Sequence, residues 1–508
     1  MSAVSAEIIT RIVGYALEPG NFAESSPNLP IRLAVLAEAN TDMQSGLDVD
    51  TPIQITSSAK AAEYAGYGSP LHQVAKILFP ISGSGIGGIP VIWYPQAEAV
   101  GATAKVIQIA AVGTATGNGT HYVVISGREN VEGQYYAVNI VKDDTAEIIH
   151  GKIADVVNSV LGSPTTATDT AYYAELTSKW KGLTAEGITV SMNTNENDLG
   201  ITYTVTDNVQ AGSGTPDVAD SLELFENNWV THVLNSYGTV SAVMEALESY
   251  NGKPDITNPT GRYSPVVFKP FLAYTGSVAE DPSSITDPRK NELTIKISPA
   301  PLSKGLPMEA AANDILLAAL VAQNSPHLDV IGQAYPDMPT PDSIGLMSSY
   351  VERNRIVKLG CSTVDLVGGQ YVIQDPVTTY HPVGEVVPQY RYARILVIDW
   401  NSRYTYLLLE QVNVLDHVIA GDNDVVNATR VIKPKIWKAI LSDMSEDMVL
   451  RGLWVDAAFT QASITCGLST TNPDKLATTF RYKRSGVVRI SDTVATAGFN
   501  FGTLTANQ

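Results

Sequence analysis

The stretch IRLAVLAEA, residues 31–39, decides the fold. Only Arg32 and Glu38 interrupt its apolar run, so it reads as a buried strand rather than a one-sided amphipathic one. Turn residues follow through Asp50. Thr56 or Ser57 can then cap a short helix through Ala65, and Ser69 with Pro70 gives an N-cap and a first-turn proline before LHQVAKILF. Leu71, Val74, Ala75 and Leu78 share one face of that second helix. After a glycine loop comes the strand PVIWY at 90–94, which completes an α/β segment. Upstream, residues 1–30 hold punctuation (Pro19, Gly20, Asn21, Ser25, Ser26, Pro27, Asn28, Pro30) and little periodicity, the mark of an extended arm.

Residues 101–215 follow a different rule. Alternating runs AKVIQIAAV, THYVVISG, QYYAVNIV, ITVSMNT and GITYTVT are separated by Gly, Asn and Asp. They predict a mostly β module with one helix over 146–161 and a second over 171–181. The flanks QAEAVG (96–101) and GSGTP (212–216) read as linkers, so the module is an insertion.

From Pro216 the α/β rhythm resumes: a helix at 218–225, the apolar stretch NWVTHVLN, a helix VSAVMEALESYNG ending on Gly252, and strands in SPVVFKPFLAY and LTIKISPAP. A helix opened by Pro307 stops before Pro326, a hairpin turns at Gly368-Gly369, and helical stretches occupy 391–420 and 430–452. The end alternates strongly around VVRI (487–490), so the last segment is expected as a strand. The expected class is therefore α/β (α+β) and multidomain. The mixed-sheet core is built from residues 31–98 and 216–480, the β insertion spans 99–215, and extended arms occupy 1–30 and 481–508.

Composition narrows the function. The 508 residues carry 52 Asp and Glu against 33 Lys and Arg, a formal net charge of −19, which disfavours a nucleic-acid partner because phosphate contacts need clustered bases. The acidity concentrates in the first half. Within 430–489 the sign reverses, with ten bases against five acids, so copies could pair opposite faces. Cys361 and Cys466 are too few and too far apart for a disulfide framework or zinc ribbon. No secretory signal and no membrane span is expected, since the start lacks a basic and apolar leader pattern and the longest apolar run is short.

The motifs give no catalytic centre. GSGIGG (83–88) fits G-x-G-x-x-G, but a helix precedes it and a strand follows, the reverse of a dinucleotide site, which leaves a helix-to-strand turn. His72, His121, His150, His232, His327, His381 and His417 have no metal-ligand spacing. No nucleophile elbow, phosphate loop or C-x-x-C is present. The pairs Asp143-Asp144 and Glu446-Asp447 read as solvated surface carboxylates. Arg481, Lys483, Arg484 and Arg489 read either as the outer face of a strand or as a site for an acidic protein partner. No metal, cofactor or catalytic residue is expected.

Five segments in order resemble the contractile tail sheath proteins of myoviruses, in particular their Mu-like branch. They are PNLPIRLAVLAEAN (27–40), VGTATGNGTHYVVISGR with AEIIHGKIADVVNSVL (112–161), SPAPLSKGLPMEAAANDILLAALVAQNSPHLD (298–329), VIQDPVTTY (372–380) and NPDKLATTFRYKRSGVVRISDTVATAGFNF (472–501). The resemblance implies a structural subunit, not an enzyme, that stacks in hexameric rings around a tail tube and meets baseplate and tail terminator proteins. It implies a virion component assembled in the bacterial host cytoplasm, with no nucleic-acid contact and no membrane insertion. Contraction would release stored conformational energy. It further implies that the chain ends are exchanged between neighbours by strand addition, which maps onto Ile8, Ile9 and Val13 at the start and Val487, Val488 and Ile490 at the end. The tube-facing bases would be Lys433, Lys435, Lys438, Arg481, Lys483 and Arg484. The sheath of a tailocin or of an extracellular contractile injection system shares this pattern, and a hydrolase-like enzyme is the reading from a different class.

Overall fold

The computed structural model describes residues 26–385 and 388–499. The described chain forms two compact units: Leu29–Arg403 with Arg484–Phe499, and Ser26–Asn28 with Tyr404–Lys483.

The larger unit is organised by a six-stranded sheet. Its spatial order is Ile295–Pro299, Leu272–Ser277, His232–Asn235, Leu33–Glu38, Val91–Gln96 and Ile53–Ile55. The first five are parallel, with Leu33 opposite His232 on one side and Val91 on the other, and only Ile53–Ile55 is antiparallel. All six residues of Leu33–Glu38 are buried, the burial on both faces that the unbroken apolar run foretells. The helix caps also follow the sequence: Ser57 accepts from the Lys60 amide at 3.1 Å and Ser69 from that of His72 at 3.2 Å. The Pro307–Asn324 helix lies so close to the sheet that a Cβ on Gly276 would sit 1.6 Å from the Pro307 carbonyl oxygen, so only glycine fits there. On that helix Asp314 is fully buried, accepts from Ser298 Oγ at 2.7 Å and forms an ion pair with the equally buried Lys296. Tyr94, Phe225, Tyr250 and Phe271 form an edge-to-face cluster, with 4.7 Å between the Tyr94 and Phe225 ring centres.

The inserted module holds two antiparallel sheets. One runs Thr202–Gln210, Ala104–Val112, Ala174–Lys181, Thr165–Asp169; the other runs Val190–Asn193, Gly119–Ile125, Ala137–Ile140. The Ala146–Ser159 helix buries Ile149, Ile153 and Val157 and packs on strands of both.

In the smaller unit the Pro434–Leu450 helix packs with the Ala457–Ser463 helix and with the hairpin of Thr465–Leu468 and Leu476–Thr479. Its centre is aromatic: Tyr406, Trp437, Trp454, Phe480 and Tyr482 form a chain of ring contacts, and Trp454 stacks on Tyr482 at 4.5 Å. The Ser26 amide donates to Asp447, and Arg451 donates to Asn28, at 3.3 and 2.9 Å.

Several expectations are corrected. The helix expected over 171–181 is the Ala174–Lys181 strand, in which Ala174, Leu176, Ser178 and Trp180 alternate inward with period two. In SPVVFKPFLAY the strand begins only at Leu272, because Pro265 and Pro270 confine Ser264–Lys269 to turns. The second part of the core was expected to run to 480, but the chain leaves the larger unit after Arg403 and returns to it at Arg484. The VVRI segment forms no strand with another described residue. Asp144 is not solvated. It is buried, accepts from the Val141 amide at 2.7 Å and pairs with Lys152 at 2.5 Å. Glu446 and Asp447 lie on a helix.

Candidate inter-subunit surface

Counted along the chain, the parallel strands stand in the spatial order 2-1-3-4-5, the arrangement of a doubly wound sheet. Such sheets bind ligands beyond the carboxyl ends of the strands where the order reverses, here between Leu33–Glu38 and His232–Asn235. The chain fills that crevice itself. Glu38, at the end of its strand, accepts from Thr184 Oγ1 of the inserted module at 2.6 Å, and Trp180 Nε1 donates to the same hydroxyl at 2.9 Å. Tyr237 Oη donates to Gln96 at 2.8 Å alongside. Burial, reinforced by nearby Glu98 and opposed by Thr184, pushes the Glu38 carboxyl up to about 8. A neutral acid is what this closed place accommodates.

A second fastening is ionic. Arg128, in the turn after Gly119–Ile125, donates to Glu309 at 2.8 Å and to Asp337 at 3.2 Å. Glu309 also accepts from the Leu306 amide at 2.9 Å, capping the Pro307–Asn324 helix. The inserted module is thus tied to the core at both places.

The remaining chemistry-bearing side chains serve packing. His72, His121, His150, His232 and His381 are all buried and hydrogen-bonded, and burial holds the His72 and His232 rings down to about 3. Among the described residues no group of three or more His, Cys, Asp or Glu could hold a metal ion, and no helix is long and apolar enough to cross a membrane. The glycine loop 83–88 lies between the Pro70–Leu78 helix and the Val91–Gln96 strand, the reverse of a dinucleotide-binding order.

The C-terminal tail has a different character. At its root, Arg484 forms a two-pronged pair with Asp399, at 2.7 and 2.6 Å, and lies over the Tyr390 ring. Arg394 donates to the Ser485 carbonyl at 2.8 Å and to its hydroxyl at 2.6 Å. Arg489 pairs with Asp329 and stacks on Tyr392 at 3.7 Å. Between and beyond these contacts the side chains stand in solvent: Val488 is 86% exposed, Ile490 88% and Val494 90%. Among the described residues the backbone from Gly486 to Gly498 finds no backbone hydrogen-bond partner. An extended, apolar, unpaired segment is equipped to complete a sheet elsewhere.

No family model matches the chain. The Mu-like prophage FluMu tail sheath protein of Haemophilus influenzae is 22% identical to it over 417 residues, 80% of each chain. The chain is thus similar to a tail sheath protein over most of its length. Similar solved structures include a sheath tail protein from Desulfitobacterium hafniense (10% identity, 93% of this chain and 100% of that one, TM-score 0.45). Another is a sheath tail protein from Listeria innocua (14%, 91% and 94%, 0.46). A third is the contracted sheath complex of an extracellular contractile injection system (10%, 97% and 99%, 0.38).

The residues that the sheath resemblance singles out are scattered. Ile8, Ile9 and Val13 lie outside the described residues. Val487, Val488 and Ile490 share the exposed tail. Lys433 and Lys435 donate to the carbonyls of Asp424 and Asp422, and Lys483 pairs with Asp456 at 2.6 Å beneath the Phe459 ring. Lys438 and Arg481 are exposed in the same unit, whereas Arg484 is committed to Asp399 in the other. Asp329, Arg394 and Asp399 were not read from the sequence. They stand 160, 91 and 85 positions from their partners, and no local pattern links them.

Proposed function

We propose that this chain is the structural subunit of a contractile tail sheath. It polymerises as stacked rings of six around a tail tube, meets the baseplate and tail terminator proteins at the ends, and contracts to drive the tube through a host envelope. It works in the virion after assembly in the host cytoplasm, and its stroke draws on conformational energy summed over many subunits rather than on bond chemistry. The observation that carries this reading is the C-terminal tail, apolar, extended and, among the described residues, with no backbone hydrogen bond from Gly486 to Gly498, on a chain similar to a tail sheath protein. The proposed exchanged segments hold Ile8, Ile9 and Val13 at the start and, at the end, Val487 and Val488 at the root and Ile490 in the part that crosses to a neighbour, and the exposed Lys438 and Arg481 are proposed tube contacts. The core and the inserted module would travel together, since two fastenings join them.

Electron microscopy of the purified chain over a range of concentrations tests this. Hollow striated cylinders are expected, and deletion of residues 485–508 should abolish them while leaving a folded subunit. A chain that stays monomeric at every concentration would overturn the proposal.

A further inference from the structure

An extended tail that leaves its own subunit must begin somewhere, and the contacts along residues 484–489 mark the place. Three guanidinium groups converge on this short segment. Arg484 reaches Asp399 with two nearly equal hydrogen bonds, the fork geometry that suits a carboxylate. Arg394, anchored by its own Nε to the His327 carbonyl at 2.6 Å, holds both oxygens of Ser485. Arg489 turns inward to Asp329, whose side chain is almost fully buried, and sits over the Tyr392 ring. Burial raises the Asp329 carboxyl above its ordinary range, while Arg489 is the largest influence pulling it down. After Arg489 no described side chain grips the tail through an ion pair.

We infer that Asp329, Arg394 and Asp399 are positioning residues that fix the root of the tail, so that the portable part begins at Ile490 and any pull from a neighbouring copy ends on the Arg489–Asp329 contact. The consequence for the polymer rests on the sheath reading; the anchor itself does not. Two features follow. Val487 and Val488, caught between the anchors, stay with their own subunit, and Ile490, Val494 and the residues after them are what a second copy receives. The nineteen residues from Ile490 to Gln508 can span at most ~65 Å when fully extended. The grip is made of charge-assisted contacts at a partly exposed site, so salt should loosen it.

Limited trypsin digestion of the full-length chain, followed by mass spectrometry, reads the anchor directly, because trypsin cuts after Arg484 and Arg489. The native chain should resist at both bonds. Asp329→Asn should speed cleavage after Arg489 by roughly tenfold, the effect of about 1.4 kcal/mol of lost closure, and Asp399→Asn should do the same after Arg484. Arg489→Lys, which keeps the charge and the cleavage site but loses the planar guanidinium and its ring contact, should act like Asp329→Asn without touching the buried carboxylate. The double exchange Asp329→Arg with Arg489→Asp should restore resistance at Arg484 if Asp329→Asn had weakened it there too. Unchanged cleavage in Asp329→Asn and in Arg489→Lys, at unchanged melting temperature, overturns the anchor. Where cylinders form, Asp329→Asn cylinders should come apart at lower sodium chloride than the native ones, and equal salt stability overturns the mechanical role. If the native chain forms no cylinders, the sheath reading fails and the cleavage ratios still judge the anchor.

Discussion

Two segments depart from the parallel core, and they are fastened in opposite ways. The inserted module is held through two buried carboxylates: Thr184 on Glu38 at one place, Arg128 on Glu309 at another. The described tail is gripped at its root, and Val488, Ile490 and Val494 stand in solvent. The difference teaches which part belongs to the subunit and which is meant for another copy. A segment that satisfies its hydrogen bonds internally has no reason to leave. One that leaves its backbone unpaired and its valines and isoleucines in solvent gains by finding a partner.

The contrast can be broken most strongly within the module. Trp180 is fully buried and joins the module's sheet to Thr184, so Trp180→Ala should destabilise the chain by ~3–5 kcal/mol in a urea titration. A loss below about 1 kcal/mol would mean that the module is not packed as described. Arg128→Ala would strand Glu309 without its cation and should lower stability by ~2–4 kcal/mol, less in Arg128→Lys. Equal values for the two variants would deny the pairing its importance.

Glu38 sharpens the comparison through pH. Its folded value near 8 lies above the ordinary 4.5, so the folded chain binds the proton more tightly. The associated stability is fully present below about 4.5 and is lost as pH rises to about 8. The slope in that window reaches at most ~1.4 kcal/mol per pH unit. Glu38→Gln should flatten it, and a curve of unchanged slope from pH 5 to 8 would reject the neutral acid. Deleting residues 490–508 should have the smallest effect, within ~0.5 kcal/mol of the native subunit, because the described part of that stretch makes no anchoring ion pair. A large drop in melting temperature would show that the tail serves its own fold.

How far the sequence carried the fold depended on where each signal resides. Residues 31–39 and the two capped helices were legible because burial on both faces, serine caps and first-turn prolines are local. The Ala174–Lys181 strand was misread because its inward row mixes Ala, Leu, Ser and Trp, so the period-two pattern is weak in hydrophobicity although complete in burial. The partition at Arg403 and Arg484 had no marker, since the aromatic cluster of the smaller unit gathers residues from 406 to 482. The exposed tail was visible as alternation around VVRI. Its anchors were not, because ion pairs between distant positions leave no periodic trace.

The far end of the core sheet carries a consequence of its own. Ile53–Ile55 is only three residues long, runs against its neighbour and starts directly after Pro52, while the opposite margin, Ile295–Pro299, is wholly buried. A proline has no amide hydrogen to give, and so short a border offers little ladder for a stray chain to extend. Crowded copies therefore find little template for a stray strand at that margin of the core sheet.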